Sequence, residues 1–182
     1  MTEKKAPKGY HYHVNGGGLV ADTATVAESA RISDKAEVFG NARISGNTEV
    51  YGNVWVCGNA RIYGNAWVGG DVCICGNARI YGNARLYGNS WVYGNARICG
   101  NARIYGDAQV YGDVWKTSPL YIQGSRNAAT NCKYGFIQIG CICLSFAEWK
   151  KCHKEIGKEN GYTPAQIKEY KKIIDLFLAI GK

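Results

Sequence analysis

ICGNARIYGNAR, residues 74–85, is a six-residue unit written twice, and its reading decides the fold. Moving outward in sixes, an aliphatic side chain returns at Val20, Val26, Ile32, Val38, Ile44, Val50, Val56, Ile62, Val68, Ile74, Ile80, Leu86, Val92, Ile98, Ile104 and Val110. Four places after each stands something small: Ala in eleven of the sixteen units, and Thr48, Val54, Val72, Ser90 and Val114 in the rest. From Val38 onward the third and fourth places are Gly followed by Asn or Asp, a pair that tolerates the backbone angles of a tight corner. Each hexad therefore reads as a short strand and a corner, with one aliphatic and one small side chain turned inward. One such strand cannot bury its own face, but stacked copies can, through a continuous ladder of backbone hydrogen bonds. A helical stripe needs a period of 3.6, and a flat hairpin sheet needs longer alternation, so both are excluded.

A second period counts the sides. Val54-Trp55, Val72-Cys73 and Ser90-Trp91 depart from the usual Ala-Arg every 18 residues, and Arg43, Arg61, Arg79 and Arg97 recur at the same interval. Correlation at three hexads predicts a three-sided parallel β-helix over residues 20–115. Ninety-six residues make between five and six turns, about 25 Å tall at roughly 4.8 Å per rung.

The repeat resembles the hexapeptide-repeat, left-handed β-helix family, with its aliphatic residue followed four places later by a small one. The left hand is implied by that resemblance. The glycine falls one place later than in the acyltransferase branch. The flanking HVNGGGLVADTATV, PLYIQGSR, IQIGC and AEW are similar to phage and prophage proteins that carry YGNAR repeats, which implies a viral setting and little chemistry. In those proteins the residue after GSR is often His; here it is Asn127.

The flanks are expected to form two further regions. Residues 1–19 are a lead-in whose Gly16-Gly17-Gly18 folds over the first rung. Residues 116–182 form a basic α+β extension, with short strands near 120–124 and 135–143 and two helices. Ser145 with Glu148, and Thr163-Pro164 with Gln166, are capping boxes that open those helices. Phe146, Trp149, Cys152 and Ile156 line one apolar face; Ile167, Tyr170, Ile173, Ile174 and Phe177 line the other. Both faces are expected to cover the end of the coil or to pack among subunits.

The net charge of +8 is uneven. The repeat carries eight basic and eight acidic groups, whereas residues 116–182 carry eleven basic and five acidic ones. A basic extension on a neutral coil favours an anionic partner, although a solvated Lys-rich helix has the same composition. No apolar run approaches the length of a membrane span and no charged-then-apolar leader opens the chain, so a cytoplasmic location is expected, and the resemblance to phage proteins implies a bacterial host. Eight Cys without a secretion signal read as reduced thiols. Cys141 and Cys143, read as sharing one face of a strand, lie near Cys132, Cys152 and His153. The spacing matches no familiar zinc pattern, so small apolar filler is the reading and no metal is expected.

The outward positions carry the information. Sorted by side, Phe39, Cys57, Cys75, Tyr93 and Tyr111 are expected beside the Arg43, Arg61, Arg79 and Arg97 row. Tyr63, Tyr81 and Cys99 are expected beside Trp67, Arg85 and Arg103, and Tyr51, Tyr87 and Tyr105 beside Trp55, Cys73 and Trp91. Four in-register Arg repel one another unless an anion faces them, and Tyr beside Arg suits phosphate contact and base stacking. The opposing reading lays each Arg flat over a Tyr of its own or a partner subunit. So many exposed rings call for cover, and the family resemblance implies trimers.

Function is therefore read as a non-catalytic binding or interaction scaffold without a cofactor. By resemblance it is phage- or prophage-encoded and acts on a host (defence) component. The alternatives are an anion-binding module for nucleic acid or nucleotides and an acyltransferase relative. Candidate binding residues are the four in-register Arg, Tyr93, Arg85, Arg103, Trp55, Trp91 and, in the extension, Arg126. The acyltransferase reading is disfavoured because His11, His13 and His153 all lie outside the repeats, no loop builds an acceptor pocket, and neither His11 nor His13 has an evident carboxylate partner.

Overall fold

The computed structural model describes residues 5–33 and 35–182. Residues 1–4 of the expected lead-in, and Asp34 in the hexad that opens at Ile32, lie outside the described residues. The chain divides into two compact units. One runs to Asp107 and includes Tyr111–Ser118; the other comprises Ala108–Val110 and Pro119–Lys182.

The first unit is a β-solenoid of three parallel stacks. One stack contains Thr25–Val26, Arg43–Ile44, Arg61–Ile62, Arg79–Ile80, Arg97–Ile98 and Val114–Trp115, so the chain makes about five turns between its first and last rungs. The second contains Arg31–Ile32, Glu49–Gly52, Trp67–Gly70, Arg85–Leu86 and Arg103–Ile104; the third contains Leu19–Ala21, Glu37–Val38, Trp55–Val56, Cys73–Ile74 and Trp91–Val92. The ladder repeats every 18 residues: the Arg61 N–H donates to the Ala78 carbonyl at 2.9 Å, and the Tyr63 N–H to that of Ile80 at 2.9 Å.

Inside, the aliphatic column of Ile62, Ile80 and Ile98 and the alanine column of Ala60, Ala78 and Ala96 have no solvent exposure. Each buried aliphatic side chain stabilises the fold by about 1.5–3 kcal/mol. The corners need glycine for two reasons. Gly58 has φ +67°, and a Cβ there would stand 3.0 Å from the backbone nitrogen of Gly76 on the next turn.

At the top, Tyr10–Tyr12 pairs antiparallel with Leu19–Ala21. The glycine run crosses the first turn closely: a Cβ on Gly16 would stand 2.3 Å from the Ile32 carbonyl oxygen, while the Gly18 N–H donates to that oxygen at 2.9 Å. At the other end the repeat loses one residue. Arg97 pairs with Val114, and Ile98 with Trp115, an offset of 17. The inward place expected of Val114 is thus not its own: Val114 is exposed, Trp115 is buried, and Asp113 supplies the carbonyl that accepts from Arg97. Asp113 absorbs the missing residue with φ +60°.

The second unit holds a four-stranded antiparallel sheet of Tyr121–Gln123, Ala128–Lys133, Phe136–Ile139 and Ile142–Ser145, followed by α1 (Phe146–Glu159) and α2 (Pro164–Ile180). Both capping boxes form as expected. The helices differ from expectation in what they cover. Trp149 of α1 and Tyr170, Ile173, Ile174 and Phe177 of α2 make one core with Ala129, Ile137 and Ile139 of the sheet, so their apolar faces are satisfied within their own unit. Cys141 falls in the turn between the last two strands, exposed. Cys143 lies in the strand, its sulfur 3.4 Å from that of Cys132, so the two do not share a strand face.

Candidate functional site

The arginine row lies on one stack of the solenoid. Arg43 pairs with Arg61, Arg61 with Arg79, and Arg79 with Arg97, each in parallel register and each exposed. Two unit charges about 5 Å apart repel by about 0.8 kcal/mol in bulk water, and by more beside a low-dielectric wall. Among the described residues none of the four forms an ion pair or a cation–π contact.

A second row borders the first. At the corner leading into this stack, the Asn41 Nδ2 donates to the Asn59 Oδ1 at 3.4 Å, Asn59 to Asn77 at 3.1 Å, and Asn77 to Asn95 at 3.3 Å. Asn41, Asn59 and Asn77 each use one N–H in that chain and keep a second for another acceptor. Asn59, Asn77 and Asn95 line a shallow groove with Arg61, Arg79 and Arg97. Its polar walls are donors of positive or neutral charge, the character of an anion groove.

The aromatic rows sit one side away from where they were expected. The strand runs one residue past its aliphatic position before the Gly–Asn bend: the N–H groups of Cys57 and Cys75 donate to the carbonyls of Ile74 and Val92, within the Trp55–Cys73–Trp91 stack. Tyr93 holds the equivalent place, with its ring stacked on Tyr111 at 5.3 Å, and so leaves the arginine row. The row's own tyrosines are Tyr63 and Tyr81, whose rings stack on each other at 5.0 Å and 3°. Their faces are largely spent on each other, which favours phosphate contact over base stacking along this side.

Arg85 and Arg103 are in register on the second stack, next to Trp67. Trp55 and Trp91 flank Cys73 on the third, both about half exposed. Burial, with the neighbouring Cys75 and Cys57, pushes the Cys73 thiol up to about 11, so it is neutral at physiological pH and a poor nucleophile or metal ligand. Among the described residues no group of three or more His, Cys, Asp or Glu is placed to hold a metal ion. His11 does have a carboxylate neighbour, contrary to expectation: its Nδ1 lies 3.3 Å from Asp22, with both side chains more than half exposed and the pair screened by water.

Arg126 belongs to the second unit. The loop that carries it is fastened to α2: Ser125 N–H donates to Glu169 at 2.7 Å, and the Tyr170 hydroxyl donates to the Asn127 carbonyl at 2.6 Å. The Ser125 hydroxyl and N–H hold the Glu169 carboxyl below the usual carboxylate range. One Arg126 nitrogen donates to the Gly161 carbonyl at 2.8 Å, and its guanidinium lies 4.7 Å from the Tyr162 ring centre. Beside it opens a cavity of about 140 Å³, walled by Trp149 and several isoleucines and also lined by Asn127, Cys141, His153 and Asn160. No spacing motif marks this pocket; its residues come from a loop, two sheet strands with the turn between them, and two helices.

No curated protein and no solved structure matches the chain. The family model described as the YdcK beta solenoid repeat matches residues 54–70, 74–88, 78–94 and 96–112. Across the middle and lower turns, the first unit is thus similar to a family of repeat β-solenoids.

Proposed function

We propose that this chain is a non-catalytic binding scaffold whose solenoid offers its arginine row to an extended polyanion, a single nucleic-acid strand above all. The observation that carries this reading is the set of four in-register arginines that form no ion pair and no cation–π contact among the described residues. The rung spacing of roughly 4.8 Å is wider than the roughly 3.4 Å between successive charges of a stacked strand, so the row suits a strand drawn out of its stack. The second N–H of each Asn in the bordering row supplies neutral donors to the same ligand. The exposed Trp55 and Trp91, with the resemblance to hexapeptide-repeat trimers, support assembly with further copies of the chain. The flanking motifs shared with phage and prophage proteins support a viral origin and action in the cytoplasm of a bacterial host. There the scaffold would occlude or sequester a host (defence) component. No helix of the described residues is long and apolar enough to cross a membrane.

The test is a fluorescence titration with short single-stranded DNA and RNA at two salt concentrations. Four phosphates neutralised on a single strand give a slope of log K against log salt of about −2.8. Replacing Arg61 and Arg79 together should bring that slope toward about −1.4 and abolish binding at physiological salt, with the melting temperature unchanged. No binding by the unaltered protein at low salt, or binding insensitive to salt, would sink the reading.

A further inference from the structure

We infer that the cavity of the second unit is a binding site for a small carboxylate attached to a flat apolar body of about six heavy atoms. The size sets the body. An engineered cavity of about 150 Å³ accommodates benzene, and this one is about 140 Å³, too small for a nucleotide. Its walls suit such a ring, since Trp149 and isoleucines of the sheet and of both helices supply them, and the Trp149 indole N–H is already engaged by the Ile137 carbonyl at 2.8 Å.

The polar groups set the rest. Both ring nitrogens of His153 are buried and have no hydrogen-bond partner. An imidazole presents a donor and an acceptor, or two donors when charged, and leaving buried polar atoms unmet costs about 1–3 kcal/mol each. His153 lines the cavity without exposing either nitrogen to it, so a turn of the ring is what brings one of them to a ligand seated there. Arg126, exposed at the same cavity, donates from one nitrogen to Gly161, so among the described residues most of its five N–H donors are unspent. A planar carboxylate is the group that a guanidinium fork receives with two parallel hydrogen bonds.

Preorganisation supports the assignment. Glu169 and Tyr170 hold residues 125–127 against α2, and Tyr162 lies under the Arg126 guanidinium, so little ordering is left for a ligand to impose. The site uses none of the solenoid residues, and the two readings stand or fall separately.

Benzoate and its uncharged counterpart benzyl alcohol are the probes, titrated into the full chain by NMR with the Trp149 indole and His153 ring resonances as reporters. A fragment of this size should bind with a Kd of roughly 1 mM, so titration to about 10 mM is decisive. Benzoate should shift both reporters, and benzyl alcohol should bind at least about tenfold more weakly. Arg126→Gln and His153→Phe should each weaken benzoate about tenfold, while Arg126→Lys, which keeps the charge but loses the fork, should recover only part of the loss. Melting temperature and the Ser125 amide resonance check that each variant is folded. Absence of any shift at about 10 mM, equal affinity for alcohol and carboxylate, or unchanged benzoate affinity in folded Arg126→Gln would each overturn the assignment.

Discussion

Ser90 stands in the inward column of Val54 and Val72. Its hydroxyl is buried without a hydrogen-bond partner, whereas Thr48, the other polar residue in such a place, donates to the Ser45 carbonyl at 2.7 Å. Ser90→Ala should therefore raise stability by about 1 kcal/mol, read as a higher midpoint in chemical unfolding, since it removes a desolvated hydroxyl that gains nothing in return. A fall in the midpoint would mean the hydroxyl is satisfied in solution. The adjacent pair Arg79 and Ile80 tests inside against outside. Ile80→Asp buries an unpaired charge and should cost several kcal/mol, whereas Arg79→Asp lies in water, relieves repulsion within the row, and should leave the midpoint within about 0.5 kcal/mol. Equal losses would invert the assignment of the two faces. The alternation along each strand was readable from the sequence, and the arginine row with it. The side on which each tyrosine lies differs from expectation, because the strand runs one residue past the aliphatic position before it bends. The signal for the right answer was present: the chain can bend only at Gly–Asn, and Tyr63 precedes Gly64 and Asn65, so it stays with Arg61.

At the scale of the element, the coil is a set of interchangeable turns. Arg61 and Ile62 sit directly under Arg79 and Ile80, so deleting residues 62–79 joins Arg61 to Ile80 and leaves every later strand on its own stack, one rung higher. That protein should remain folded, with the circular dichroism of a shorter β-solenoid. Deleting only residues 62–67 shifts everything after Arg61 by one side and sets the Trp67 row against the Cys73 row; it should unfold or aggregate. Similar behaviour of the two deletions would contradict the three-sided stack. The second unit was legible to different degrees. Both helices were readable because capping boxes and apolar stripes are local signals. The strand Ala128–Lys133 was not, because AATNCK shows no alternation. Ala129, Thr130, Asn131 and Cys132 are all buried, and the two N–H groups of the Asn131 side chain are shared among the carbonyls of Lys133, Phe136 and Lys182 at 2.9, 3.0 and 2.7 Å. Those partners lie up to 51 residues away, so only the folded unit explains a buried Asn in a strand. The missing residue at the last turn was hidden for a related reason: Val114 is apolar and fits the repeat by type, and only the pairing of Trp115 with Ile98 reveals the slip.

At the scale of the whole molecule, the question is what covers the tryptophans. Trp55 and Trp91 are 53% and 54% exposed and stand on one stack above and below Cys73. Burying the exposed half of each indole, about 100 Å², would contribute about 2.5 kcal/mol per residue, and each is repeated in every copy of a symmetric assembly. The arginine row lies on another stack and gains nothing from burial against its own copies, because like charges would be desolvated together. Light scattering of the purified protein should therefore report a discrete oligomer, most simply a trimer, and Trp55→Glu with Trp91→Glu should reduce it to monomer without changing its β-solenoid circular dichroism. The Arg61 and Arg79 double replacement should leave the oligomer intact. If that replacement is the one that dissociates it, the row is an interface between subunits, its arginines pack on rings of a neighbouring copy, and the polyanion reading fails with it. A stable monomer at high micromolar concentration would instead free the tryptophan face for another partner and remove self-association from the account.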